Sequence, residues 1–77
     1  MKKKEFLEKL QEALEAEEQL SPDTEFSGLS NYDSMSIMVI IAFTDENFNK
    51  KISASQFKSI KQVKDLMEVI GRENFED

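Results

Sequence analysis

The triplet Asp33-Ser34-Met35 sets a hydroxyl beside a carboxylate, just ahead of the apolar run Ile37-Met38-Val39-Ile40-Ile41. A serine at the start of a helix is open to another enzyme. The unsatisfied amides and the positive end of the helix dipole favour a phosphate on its oxygen. Asp33 is placed to cap those amides. The chain has no histidine and no cysteine, so Ser34 has no imidazole base and the triplet is no half of a Ser-His dyad. Thiolate and imidazole metal ligands, disulfides and a near-neutral side-chain switch are excluded with them. An independent enzyme is therefore disfavoured. The plainer reading of Ser34 is a cap or a solvent-facing hydroxyl. Ser36 reads as a first-turn hydroxyl.

Four helical segments could position this triplet. Phe6, Leu7, Leu10, Ala13 and Leu14 recur at helical spacing among good helix formers, which predicts a first helix over about 3–17. Lys2, Lys3 and Lys4 oppose the dipole there, so the first turn is expected to fray. Ser21-Pro22-Asp23-Thr24 breaks the pattern. The long connection that follows, to about residue 32, is expected to be pinned by Leu20, Phe26 and Leu29, with Gly28 supplying a turn. The second helix is expected from Asp33 or Ser34 to about Phe48, with Ile37, Met38, Ile40, Ile41, Thr44 and Phe48 able to face the core. Val39 and Phe43 widen that stripe. The β-branched run could alternatively form a buried strand, but the apolar tract continues to Phe48 without a turn and no partner strand is evident. Asn49 tolerates the left-handed conformation that ends a helix. Ile52, Phe57 and Ile60 mark a short third element. Val63, Leu66, Met67 and Ile70 form the stripe of a last helix, which Gly71 ends. Arg72 to Asp77 reads as a polar tail holding one aromatic, Phe75.

Seventy-seven residues make one domain, 1–77, with a small core. The fold class is all-α, a small bundle of three main helices and a short one with a long first loop. Sixteen acidic and ten basic residues leave a net charge of −6, which disfavours nucleic acid and favours basic protein surfaces as partners. No apolar run is long enough to span a membrane. Met1-Lys2-Lys3-Lys4-Glu5 is followed by no signal-peptide core, so a cytoplasmic location is expected. A calcium protein fits the charge but not the spacing, since neither Asp23 and Glu25 nor Asp45 and Glu46 build a twelve-residue ligand loop.

From Phe6 to Ile70 the chain resembles the acyl carrier protein family. The resemblance rests on Asp33-Ser34-Met35, on the helix order and long first loop, on Asn47-Phe48-Asn49-Lys50-Lys51-Ile52, and on Phe57, Ile60, Val63 and Asp65. It implies a non-catalytic, monomeric carrier. A phosphopantetheinyl transferase would move a 4'-phosphopantetheine arm from coenzyme A onto Ser34, and an acyl group would then be held on the arm as a thioester. Acyl-loading and acyl-using enzymes would be its other partners. Asp33 would help place the transferase's metal ion, besides capping the helix. The protein itself is expected to hold no metal.

The chain departs from the familiar fatty-acid carriers on the exposed side of the second helix. Ser36 and Val39 stand where those carriers have acids, and acidity returns only at Asp45 and Glu46. The implied partner surface is Met35, Met38, Val39, Ala42, Asp45 and Glu46, apolar in its upper half. An interface of apolar anchors with a charged rim is workable, and it suits a specialised carrier in a fatty-acid, lipid, polyketide, amino-acid or surface-glycan pathway. Alternatively Val39 packs beneath a loop. Tyr32 could touch the transferase or the arm, or brace the first loop. The competing reading is an acidic helical interaction module without a prosthetic group, presenting Met38, Val39, Ala42 and Phe43 to one partner.

Overall fold

In a computed structural model that describes residues 1–30 and 32–76, the chain folds as four α-helices. Asn31 and Asp77, which the sequence reading puts in the first loop and the tail, lie outside the described residues. The helices are α1 (Lys3–Leu14), α2 (Ser34–Phe48), the four-residue α3 (Ala54–Phe57) and α4 (Val63–Ile70). Short 3-10 turns occupy Phe26–Gly28 and Arg72–Asn74. Among the described residues there is no strand, only the isolated bridges Lys2–Glu76 and Glu25–Gln62, so the strand alternative for Val39-Ile40-Ile41 is set aside.

Side chains from every helix and from the first loop meet in one core. Phe6, Leu10, Phe26, Ile40, Val63, Leu66 and Ile70 are almost wholly enclosed. Leu20, Phe26 and Leu29 are buried and pin the long loop as expected. The loop carries its own polar anchors too. The Glu18 carboxylate accepts from the Ser30 amide at 3.0 Å and from the Ser30 hydroxyl at 2.8 Å. Loop carbonyls also serve the start of α4, where helix amides lack internal partners. The Val63 and Lys64 amides donate to Thr24 and Pro22 at 3.0 and 2.9 Å.

Helix ends follow the local signals at α2 and α4 but not at α1. Asn49 is left-handed at φ 53° and Gly71 stands at φ 111°. The φ of Gly71 is one that L side chains rarely adopt, so the position favours glycine; the Glu73 carboxylate 2.6 Å from a would-be Cβ is the end of a flexible side chain and could swing aside. Gly28, by contrast, has no positive φ, and a Cβ there would meet nothing within 4 Å. Its backbone freedom is not used. α1 stops at Leu14, short of the expected 17, because Glu15 turns left-handed at φ 54°. The Ala16 amide closes back onto the Gln11 carbonyl at 3.1 Å. Beyond Leu14 the next residues are Glu15, Ala16, Glu17 and Glu18, which offer the core no large apolar group, and Glu18 is drawn to Ser30 instead.

The two ends of the chain are tied to each other. The Lys3 amide donates to the Glu76 carbonyl at 3.0 Å, and the Glu76 amide donates to the Met1 carbonyl at 2.9 Å. The first turn of α1, read as prone to fray, thus gains an outside acceptor. Phe75 packs with Phe6 at 5.0 Å between ring centroids and with Phe48 at 5.3 Å. The segment 72–76 is accordingly a folded strap over α1 and α2. Its polar composition concealed this, since one aromatic with two ring partners is enough to hold it.

The phase of α2 differs from expectation at Met38 and at Phe43, the latter read as widening the stripe and found buried. The buried positions are Ser36, Ile40, Phe43 and Thr44. Met38, read as able to face the core, is 67% exposed. It lies on the side of the helix away from Ile40 and Thr44, two positions off the buried row at about 100° per residue. Thr44 is fully enclosed and donates its hydroxyl to the Ile40 carbonyl at 2.9 Å.

Candidate functional site

Ser34 is the first residue of α2 and is exposed. Its hydroxyl has no partner among the described residues. Asp33 is the N-cap in extended backbone, and its Oδ1 accepts from the Ser36 amide at 3.1 Å. Ser36 closes the exchange: its Oγ accepts from the Asp33 amide at 3.2 Å and donates to Asp33 Oδ1 at 3.3 Å. This reciprocal cap holds Asp33 and Ser36 together and leaves Ser34 outside it. The sequence reading took Ser36 for a first-turn hydroxyl but missed that it completes a box. Serine at the third helical position in place of the usual Glu or Gln hides the signal.

The cap has two consequences for chemistry. Asp33 Oδ2 has no partner among the described residues, so the carboxylate is anchored through one oxygen with the other available. The first amides of α2 stay directed at the region of Ser34, where an anion is tolerated. Among the described residues no hydrogen bond ties the Ser34 hydroxyl to a base, and no group of three or more His, Cys, Asp or Glu is arranged to hold a metal.

Two grooves flank the first turns of α2. One, of about 460 Å³, lies toward α3 and is lined by Phe26, Tyr32, Ile37 and Phe57, with Glu25, Lys58 and Lys61 at its rim. Tyr32 stacks on Phe26 at 6.1 Å with 18° between the rings, and so braces the first loop. Partial burial pushes the Tyr32 phenol above its ordinary pKa. The other groove, of about 300 Å³, lies toward the end of α1 between Ala13, Leu14, Glu15, Asp33, Met35, Ser36 and Val39.

Of the residues read as a partner surface, all but Val39 are exposed along α2. Met35 and Met38 are each 67% exposed, the only large apolar side chains so exposed among the described residues. Ala42, Asp45 and Glu46 are also exposed. Val39 is half-buried on the wall of the α1 groove, so it belongs neither to the deep core nor to the open face. No described helix is long and apolar enough to cross a membrane.

A family model described as "Phosphopantetheine attachment site" matches residues 4–70, which spans all four helices and Ser34. No curated protein and no solved structure matches the chain.

Proposed function

The chain belongs to the phosphopantetheine-attachment family of acyl carrier domains, and from that membership we propose that Ser34 bears a 4'-phosphopantetheine arm on which an acyl group is carried to partner enzymes. Domains of this family are non-catalytic carriers that work with a phosphopantetheinyl transferase and acyl-processing enzymes. One observation carries the assignment of the attachment residue. Ser34 is an exposed hydroxyl at the head of α2, without a partner among the described residues and beside a carboxylate held by one oxygen. The residues fit the group: a phosphodiester on Ser34 would sit against the free amides of the first turn. The arm supplies a thiol, and so a thioester, that a chain without cysteine lacks.

Asp33 serves the transfer through its free oxygen, which would help place the transferase's metal ion next to the attacking hydroxyl. Met35, Met38, Val39 and Ala42 form an apolar contact for partners, with Asp45 and Glu46 as an acidic rim for their basic residues. The missing acids near Ser34 support a specialised pathway over general fatty-acid synthesis.

The test is intact mass after incubation with coenzyme A, magnesium and a phosphopantetheinyl transferase. The wild-type chain gains the mass of one arm. Ser34→Ala gains none and keeps its helical circular-dichroism signal. Labelling of the alanine variant sinks the assignment, and a failure of the wild type with several transferases favours the unmodified interaction module.

A further inference from the structure

We propose that the groove between α2 and α3 selects an acyl cargo whose far end is anionic, an ω-carboxyacyl group, through Lys58, Lys61 and the Tyr32 phenol. The inference rests on the carrier reading of Ser34 and deepens it to a class of cargo. Ser34 does not line the groove itself, but Ile37, three residues on along the same side of α2, and Tyr32, two residues before the helix starts, both do. Its floor is apolar and aromatic, with Phe26 and Phe57 buried and their rings 5.7 Å apart. That floor suits the methylenes of an acyl chain.

The rim is what departs from a plain hydrocarbon slot. Among the described residues neither Lys58 nor Lys61 forms an ion pair. The Asp65 carboxylate accepts from the Lys61 amide at 3.1 Å and also interacts with the Lys61 charge. The Tyr32 hydroxyl has no hydrogen-bond partner among the described residues. Two exposed lysines and a half-buried tyrosine thus line a groove with an apolar floor. Glu25 is the one acid among the lining residues, so the rim keeps a positive excess in a chain whose net charge is −6.

The groove on the other side of α2 offers no such rim. Its charged residues are Glu15 and Asp33, and it has no cation. An anionic end group is repelled there and attracted toward α3. Charge therefore sorts the two grooves for such a cargo, and exposed cations are the complement of a carboxylate.

The test loads adipoyl and heptanoyl groups, of similar length, onto the apo protein from their coenzyme A thioesters with a phosphopantetheinyl transferase. Intact mass comes first: no mass gain is a failure at Ser34, which removes the carrier reading and this inference with it. With both cargos loaded, the rate of thioester cleavage by hydroxylamine is compared with that of the matching free pantetheine thioester, and amide shifts of Ile37 and Phe57 are followed by NMR. Adipoyl should be protected about three- to fivefold more than heptanoyl, the scale of exposed charge pairs. The difference should vanish in Lys58→Gln/Lys61→Gln and in about 1 M salt, where screening acts over about 3 Å. Tyr32→Phe, which keeps the ring stack, should remove part of it. Equal protection of both cargos, better protection of heptanoyl, or an adipoyl advantage that survives the double lysine substitution overturns the proposal.

Discussion

Toward α3, the surface beside Ser34 is floored by Phe26, Tyr32 and Phe57 and rimmed by Lys58 and Lys61. Toward α1 and on the outer face of α2, it is made of Met35, Met38 and Val39, with Glu15 and Asp33 alongside. The two flanks differ in how far they are tied to folding. Phe26 and Phe57 are 1% and 3% exposed and belong to the core. Met35 and Met38 are free of it. The wall proposed to meet a cargo therefore cannot change without cost to stability, while the face proposed to meet partner enzymes can. Unbranched methionine adds to that freedom, because it repacks against differently shaped surfaces. The rim lysines fall in between: they border the core wall, yet both are exposed and can be replaced without opening a cavity.

The sharpest way to break this contrast is to truncate one residue on the tied flank. Phe26→Ala should cost about 3–5 kcal/mol, the range for a buried phenylalanine, read as a drop in denaturant midpoint. A loss of less than about 1 kcal/mol would mean that the floor of the α3 groove is not part of the core.

Asp33, on the ridge between the flanks, should separate chemistry from folding. Asparagine still caps a helix, so Asp33→Asn should leave stability within about 0.5 kcal/mol. The initial rate of arm transfer at limiting magnesium should fall about tenfold, equivalent to about 1.4 kcal/mol in the barrier. An unchanged rate at equal folded protein leaves Asp33 only its capping role.

Acid should loosen the loop that supports the tied flank. The Ser30 hydroxyl and amide hold the Glu18 carboxyl below its usual range, and the amides of Gln62 and Lys61 do the same for Asp65. Below the ordinary carboxylate pKa the unfolded chain binds these protons more readily than the folded one. Stability is then lost as pH falls through the depressed folded values. Glu18→Gln keeps an acceptor for Ser30 but does not titrate. Its stability should fall less steeply below about pH 4. An identical acid slope in both proteins would remove Glu18 from the account.

Gly28→Ala, in the turn behind Phe26, should stabilise by about 0.5 kcal/mol, because the site has room and no positive φ. A clear destabilisation would show that the turn needs glycine after all. Smallest of all should be the stability effect of Met35→Ala combined with Met38→Ala, within about 0.5 kcal/mol for each exposed site. The same double variant should turn over more slowly with an acyl-using partner while taking up the arm at the normal rate. A large midpoint drop would place these side chains in the fold, and unchanged turnover would take them out of the docking surface.

Local chemistry in the sequence was enough to locate the elements. Asp33 as a cap, Asn49 and Gly71 as stops, the stripe Val63, Leu66, Met67 and Ile70, and the loop anchors Leu20, Phe26 and Leu29 all depend on neighbours a few residues away or on plain hydrophobicity. The triplet around Ser34 was legible for the same reason, since a helix start is a local event. Tertiary structure decided what local pattern leaves open. α2 is apolar on nearly all sides from Met35 to Phe43, so periodicity could not set its rotation, and packing against α1 and α3 turned Phe43 inward and Met38 outward. The early end of α1 at Glu15, the strap made by Phe75 and Glu76, and the lining of one groove by Tyr32 and Phe57 with Phe26 join residues distant in sequence. Such contacts are favourable only after the core has closed, because their partners come within reach only then.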